Sequence, residues 1–140
     1  MDSFKNSFLL ISGEEASQKP KDPNHLILEG YRLPDMISLH KALKTGLQLP
    51  SYSSPNLDSL DEILNDPDWL ESHDSIRISI LNYPQLLHLE AQDKKRFFLT
   101  ILDTMAQNLG YYAISVENCL EIEKDLGKMN IQYHTHSIEK

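Results

Sequence analysis

The sequence predicts an α/β fold: a small three-stranded parallel sheet covered by helices, with terminal segments able to extend it by extra strands. Three observations predict it. Short apolar runs of strand length near residues 25–29, 76–80 and 111–116 alternate with longer stretches of helical periodicity. Such alternation favours parallel strands joined by right-handed crossovers. The runs are short and apolar, as expected of strands covered by helices. A chain of 140 residues, 40% hydrophobic and 24% charged, suits one domain with a real core.

Taken in order, residues 7–12 read as a short strand, and residues 13–24, polar and carrying Pro20 and Pro23, as a linker. His25-Leu26-Ile27-Leu28-Glu29 is a compact apolar run ending at the turn residue Gly30. Pro34-Asp35 starts a helix with Asp35 as its cap, and Met36, Leu39, Leu43 and Leu47 recur at helical spacing. Pro50 and Pro55 bound a loop, because proline disfavours helix in the residue before it. Asn56 then caps a second helix: its side-chain oxygen can accept a bond from an otherwise unpaired N–H of the first turn. Leu57, Leu60 and Leu64 fall on one face of that helix with Ile63 beside them, while Asp58, Asp61, Glu62 and Asn65 hold the opposite face.

Asp66-Pro67-Asp68 breaks the helix, and Trp69 and Leu70 cover the edge of the core. Ile76, Ile78 and Ile80 alternate with Arg77 and Ser79 as in a strand, which ends at Asn82-Tyr83-Pro84 before a helical turn over residues 85–89. Asp93 is expected to cap a long helix whose stripe of Phe97, Phe98, Ile101, Leu102, Met105 and Leu109 belongs to the core, with Gly110 as its C-cap. A strand over residues 111–116, a short helix over 120–126 stopped by Gly127, and a last strand over 131–136 complete the chain. The domain plan is an N-terminal extension and linker (1–24), a core domain (25–117) and a C-terminal extension packed on it (118–140).

Charge is unevenly spread. The chain carries 13 basic and 21 acidic side chains, a net −8. No Lys or Arg lies between Lys44 and Arg77, where seven acids do: Asp58, Asp61, Glu62, Asp66, Asp68, Glu71 and Asp74. Asp58 and Glu62, four apart on one helix face, repel by roughly 0.2–0.5 kcal/mol. A concentrated field of one sign suits a cationic partner met by electrostatic steering, set against the simpler reading of a solvated face kept for solubility.

The acidic balance argues against direct nucleic-acid binding, which needs a basic patch. No apolar run approaches the roughly 20 residues that span a bilayer, so no membrane contact is expected. Phe8-Leu9-Leu10-Ile11 is too short for a signal-peptide core, making a cytoplasmic protein the expectation. One cysteine, Cys119, allows no internal disulfide and has no basic neighbour to activate it. His134 and His136 could share one strand face, but no third metal ligand stands nearby. With no nucleophile–base set, phosphate loop or metal cluster, neither an enzyme nor a cofactor is expected.

The stretch from Leu26 to about Val116 resembles the barstar family of intracellular ribonuclease inhibitors. The resemblance rests on Leu26-Ile27-Leu28 followed by Gly30, on Ser38-Leu39-His40 with Leu43 and Leu47, on Leu47-Gln48-Leu49-Pro50 with Tyr52, and on Asn56-Leu57-Asp58-Ser59-Leu60 leading to Glu62 and Leu64. It implies an immunity protein whose partner is a cognate basic nuclease toxin, plugged by the loop and acidic helix. Carried over by position, Asp58 falls on an interface acid, Glu62 on the central anchor acid, Tyr52 on a loop aromatic and Asn56 on a loop amide. Asp61 adds a further acid where the family has an aromatic, and Ser53-Ser54 replace an aromatic–glycine pair. The family's late-helix acid falls on Thr104, with Asp103 adjacent. His40 also matches and is expected to pack helix against loop. Tyr52, Asn56, Asp58, Asp61 and Glu62 are therefore the candidate partner-binding residues. The competing function is a binding module on the same fold whose basic partner is not a nuclease.

Overall fold

In a computed structural model, residues 7–16 and 24–135 are described. Five strands form one sheet in the order β2-β3-β4-β1-β5, where β1 is Phe8–Ile11, β2 His25–Glu29, β3 Arg77–Leu81, β4 Ile114–Glu117 and β5 Tyr133–Thr135. Every neighbouring pair is parallel. The three expected strands β2, β3 and β4 lie side by side, so the sheet has five strands rather than three because both terminal segments add to it. β1 pairs with β4 in the register Phe8 to Ile114, and β5 pairs with the outer side of β1, Phe8 to Tyr133.

The helices are α1 (Gly13–Ala16), α2 (Met36–Leu47), α3 (Leu57–Leu64), α4 (Pro67–Ser72), α5 (Gln92–Leu109) and α6 (Leu120–Lys128). Both faces of the sheet are covered, because successive residues of β3 point to opposite faces and Ile78, Ser79 and Ile80 are all buried. Ser79, the polar residue between Ile78 and Ile80, is thus buried, and its hydroxyl is held at 2.6 Å by His25 Nε2 across the β2–β3 ladder, which makes a buried serine tolerable.

Five boundaries differ from the sequence expectation. The first turn after β1 is a short helix, α1, where a linker was read; residues 17–23 of that linker lie outside the described residues. Asp66-Pro67-Asp68 ends one helix and begins another, α4, with Pro67 in the first turn, where its missing N–H costs nothing, and the Asp66 carboxylate accepting from the Asp68 N–H at 2.9 Å. Asp93 lies inside the first turn of α5, whose cap position is Ala91; there it complements the helix dipole without capping. Gly127 sits within α6, and the left-handed residue that follows the helix is Asn130, with φ 57°. The strand read from residue 111 begins at Ile114; before it, the Tyr111 hydroxyl donates to the carbonyl of Asp74 at 2.9 Å.

Candidate functional site

The loop over residues 48–56 and helix α3 form the candidate site. Asp35 caps α2 as expected, in a reciprocal pair: its carboxylate accepts from the Ser38 N–H at 2.9 Å while the Ser38 hydroxyl reaches the Asp35 N–H. These bonds hold the Asp35 carboxyl below its ordinary range. At the far end Gln48 adopts a left-handed conformation and turns the chain into the loop.

The loop is pinned at successive points. Leu49 is buried. The Ser53 N–H donates to the Pro50 carbonyl at 3.0 Å, and His40 Nε2 on α2 lies 2.9 Å from the Ser53 hydroxyl. His40 thus ties helix to loop, as expected; burial first, and the charge of Lys44 second, lower its pKa. The Ser54 N–H donates to Ser59 Oγ at 3.0 Å, and the Asn56 side chain accepts from the Ser59 N–H at 2.8 Å. Ser59 therefore clamps the loop and completes the cap. The sequence reading missed it, although a serine three residues after a helix cap is the signal that could have found it.

Apolar packing fixes the orientation of α3. Leu57, Leu60, Ile63 and Leu64 are all buried, and the helix packs on α5. Burying three leucines and an isoleucine contributes roughly 6–12 kcal/mol in gross transfer free energy, far more than the repulsion among the acids opposes. The opposite face is thereby forced outward.

The five candidate residues divide by environment. Tyr52 stands at the loop tip, 74% exposed, so it does not pack the loop onto the core. Asn56 is exposed and engaged as the cap. Asp58 and Glu62 are exposed and have no hydrogen-bond or ion-pair partner among the described residues. Asp61 is half-buried, and its carboxylate accepts from Asn65 Nδ2 at 3.0 Å. Asn65 also accepts from Asn108 of α5 at 3.3 Å, so Asp61 belongs to a polar seam between the two helices. None of the seven acids of the basic-free window forms a salt bridge among the described residues.

Asp103 and Thr104 separate in role. The Asp103 carboxylate accepts from the Ser7 hydroxyl, at the start of the terminal strand β1, and is turned away from α3. Thr104 is exposed on α5, on the helical face it shares with Ile101 and Asn108, both of which bond to Asn65. Trp69 covers the core edge as expected, 9% exposed and stacked on His73 at 4.2 Å between ring centroids.

Among the described residues, no group of three or more His, Cys, Asp or Glu side chains could hold a metal ion; His136 lies outside them. No described helix is long and apolar enough to cross a membrane. The site presents two exposed carboxylates, Asp58 and Glu62, on the outer face of a helix whose inner face is buried, an arrangement complementary in charge to a cationic surface. A family model described as Barstar (barnase inhibitor) matches residues 24–121. No curated protein matches the chain.

Proposed function

The chain belongs to the barstar family, and from that premise we propose that it is an immunity protein that binds a cognate basic nuclease toxin, a ribonuclease in the first instance, and occludes its active site with the 48–56 loop and α3. The family is one of inhibitors, not enzymes. The observation that carries the reading is the pairing of a buried apolar face with two exposed carboxylates, Asp58 and Glu62, that nothing in the described chain neutralises. A ribonuclease must hold phosphate and stabilise a negatively charged transition state, so its cleft is lined by cations. Carboxylates presented on a preorganised helix occupy the places of those phosphates, and no bond need form or break. Asp58 and Glu62 are the anchors, Tyr52 and Asn56 the loop contacts, and Asp61 strengthens the field while holding α3 to α5. Residues 25–117 act as the inhibitory unit and the terminal segments as its scaffold, in a cytoplasmic protein that protects the cell that makes the toxin.

The test is affinity capture from source-cell lysate with the wild-type chain and with a Asp58→Ala/Glu62→Ala pair, followed by a nuclease assay on the released protein. Wild type alone should retain a basic protein whose nuclease activity appears on release. Association should slow roughly tenfold or more as salt is raised, since surface steering is screened. A partner that cleaves neither RNA nor DNA, or that both baits retain equally, refutes the proposal.

A further inference from the structure

The two edges of the sheet are built differently. β5 is three residues long, and its His134 and Thr135 are exposed. β2 has five residues, three of them aliphatic in succession, and no proline or lysine to blunt it. Successive residues of a strand turn their backbone groups to opposite sides. The Arg77 N–H donates to the Asn24 carbonyl at 3.1 Å, so Asn24, Leu26 and Leu28 turn theirs to β3, and His25, Ile27 and Glu29 turn theirs outward. On that outer side no strand lies among the described residues. A groove of about 350 Å³ lies there instead, lined by Ile27, Glu29, Tyr31, Arg32, Leu33 and Ala42. The flank of α2 above the edge is small: Ala42 lines the groove, and a Cβ at Gly46, four residues on, would come within 2.4 Å of Leu26.

The edge is self-complementary. A twofold axis at Ile27 would set this residue against Ile27 of a second copy, antiparallel, with His25 opposite Glu29 of the other chain at both ends. The residues that would bond in this register are the ones whose backbone groups already turn outward. Moving the axis to Glu29 would oppose two carboxylates, and moving it to His25 would oppose two imidazoles. Charge also favours this place for a meeting of two copies. Residues 25–44 carry Arg32, Lys41 and Lys44 against Glu29 and Asp35, a local +1 in a chain of net −8. Ala42 and Gly46 let two copies of α2 come close across the axis.

We propose that the β2 edge is a homodimer interface, at which a second copy of this chain adds its own β2 antiparallel about a twofold axis at Ile27 and joins two five-stranded sheets into one. The interface is independent of the inhibitor reading; with that reading, each dimer presents two copies of α3.

The experiment is sedimentation equilibrium of the full chain over a concentration series, with a cysteine trap for the register. The mass should rise with concentration from 16.1 kDa toward twice that value. Ile27→Lys sets two ammonium groups against each other at the axis and should weaken the dimer roughly tenfold or more, with unchanged near-ultraviolet circular dichroism showing that the fold is kept. For the trap, Cys119→Ser first removes the native thiol. On mild oxidation Ile27→Cys should then cross-link, because opposed residues of a bonded antiparallel pair have Cα atoms about 5.5 Å apart, within disulfide reach. Glu29→Cys should not, since its counterpart in the second copy lies four residues further along the strand. Added salt should hold or tighten the dimer by screening repulsion between chains of net charge −8, whereas it weakens capture of a basic partner by α3. A one-chain mass at every concentration, equal cross-linking of both cysteine variants, or a dimer undisturbed by Ile27→Lys would overturn the proposal. So would a monomeric chain whose Ile27 and Glu29 amides become protected when a nuclease is added, which gives the edge to the toxin instead. A dimer that protects against no nuclease keeps the interface and loses the inhibitor reading. A monomer that inhibits a nuclease through Glu62 does the reverse.

Discussion

Replacing Tyr83 with phenylalanine removes one oxygen and almost no volume, which makes it a clean probe of how the C-terminal segment is held. Tyr83 is fully buried, and its hydroxyl donates to Asp125 of α6 at 2.7 Å. Asp125 is 3% exposed, and its other oxygen lies 3.4 Å from Arg96 Nε. Lys95, also buried, sits 4.0 Å above the Tyr83 ring and pairs with Glu121 at 2.7 Å. Burial first, and the Asp125 carboxylate second, push the Tyr83 pKa far up, so the hydroxyl remains a donor at any working pH. Without it, a buried carboxylate keeps, among the described residues, only a long contact to a partly exposed guanidinium.

A hydrogen bond to a charged group is worth roughly 1.5–3 kcal/mol, and the partner left behind is desolvated. The expected loss is therefore about 2 kcal/mol, a fall in Tm of roughly 6–8 °C for a domain of this size. Tyr111→Phe is the control: its hydroxyl serves the neutral backbone carbonyls of Asp74 and Ile76, and its loss should cost about 1 kcal/mol. Urea denaturation at neutral pH measures both, and amide exchange in α6 should rise only in Tyr83→Phe. A Tyr83→Phe chain within about 0.5 kcal/mol of wild type, or one no worse than Tyr111→Phe, refutes the claim that this buried bond anchors α6.

Two further outcomes follow from the same structure. A Cβ at Gly30 would overlap the Asn82 carbonyl oxygen and meet the Leu81 carbonyl oxygen at 2.9 Å, so Gly30→Ala forces the ends of β2 and β3 apart and should cost roughly 3 kcal/mol or more, whereas Gly110→Ala meets open space and should cost only about 1 kcal/mol for its φ of 80°; equal losses in urea melts would contradict this. Because His40 is held below its ordinary pKa, the unfolded chain binds a proton that the folded chain does not as pH falls below about 6.5, so the stability His40 contributes is complete above that value and declines as pH drops toward the lowered folded pKa. The urea midpoint should fall between pH 7.5 and 5.5 more steeply in wild type than in His40→Gln, and parallel slopes would overturn the assignment.

Much of the site was legible locally. Asp35 and Asn56 cap their helices as the sequence indicated, because a cap is a contact over three residues and its chemistry is written in neighbouring positions. The apolar face of α3 followed from spacing alone, since four residues at helical intervals can only lie on one side. The exposure of Asp58 and Glu62 followed as its complement. Phe97 shows the limit. It follows the same periodicity as Phe98 and Ile101, yet it is 36% exposed, because the stripe is wider than the surface that α3 and the sheet cover, and no pattern within α5 says where that cover ends.

Apart from α1 and α4, the sequence by itself determined the element types, together with the parallel strand–helix alternation, the caps of α2 and α3 and the polarity of the acidic helix, because each depends on contacts a few residues apart. Tertiary structure alone decided the rest. Ser79 is buried because His25, 54 residues away, satisfies its hydroxyl. Lys95 is buried because Tyr83 and Glu121 converge on it from opposite directions in the chain. Asp103 is drawn to Ser7 rather than to α3, and β1 enters the sheet between β4 and β5 instead of trailing from it. Strand order and the pairing of buried polar groups are set by which distant surfaces meet, and a local pattern carries no record of that meeting.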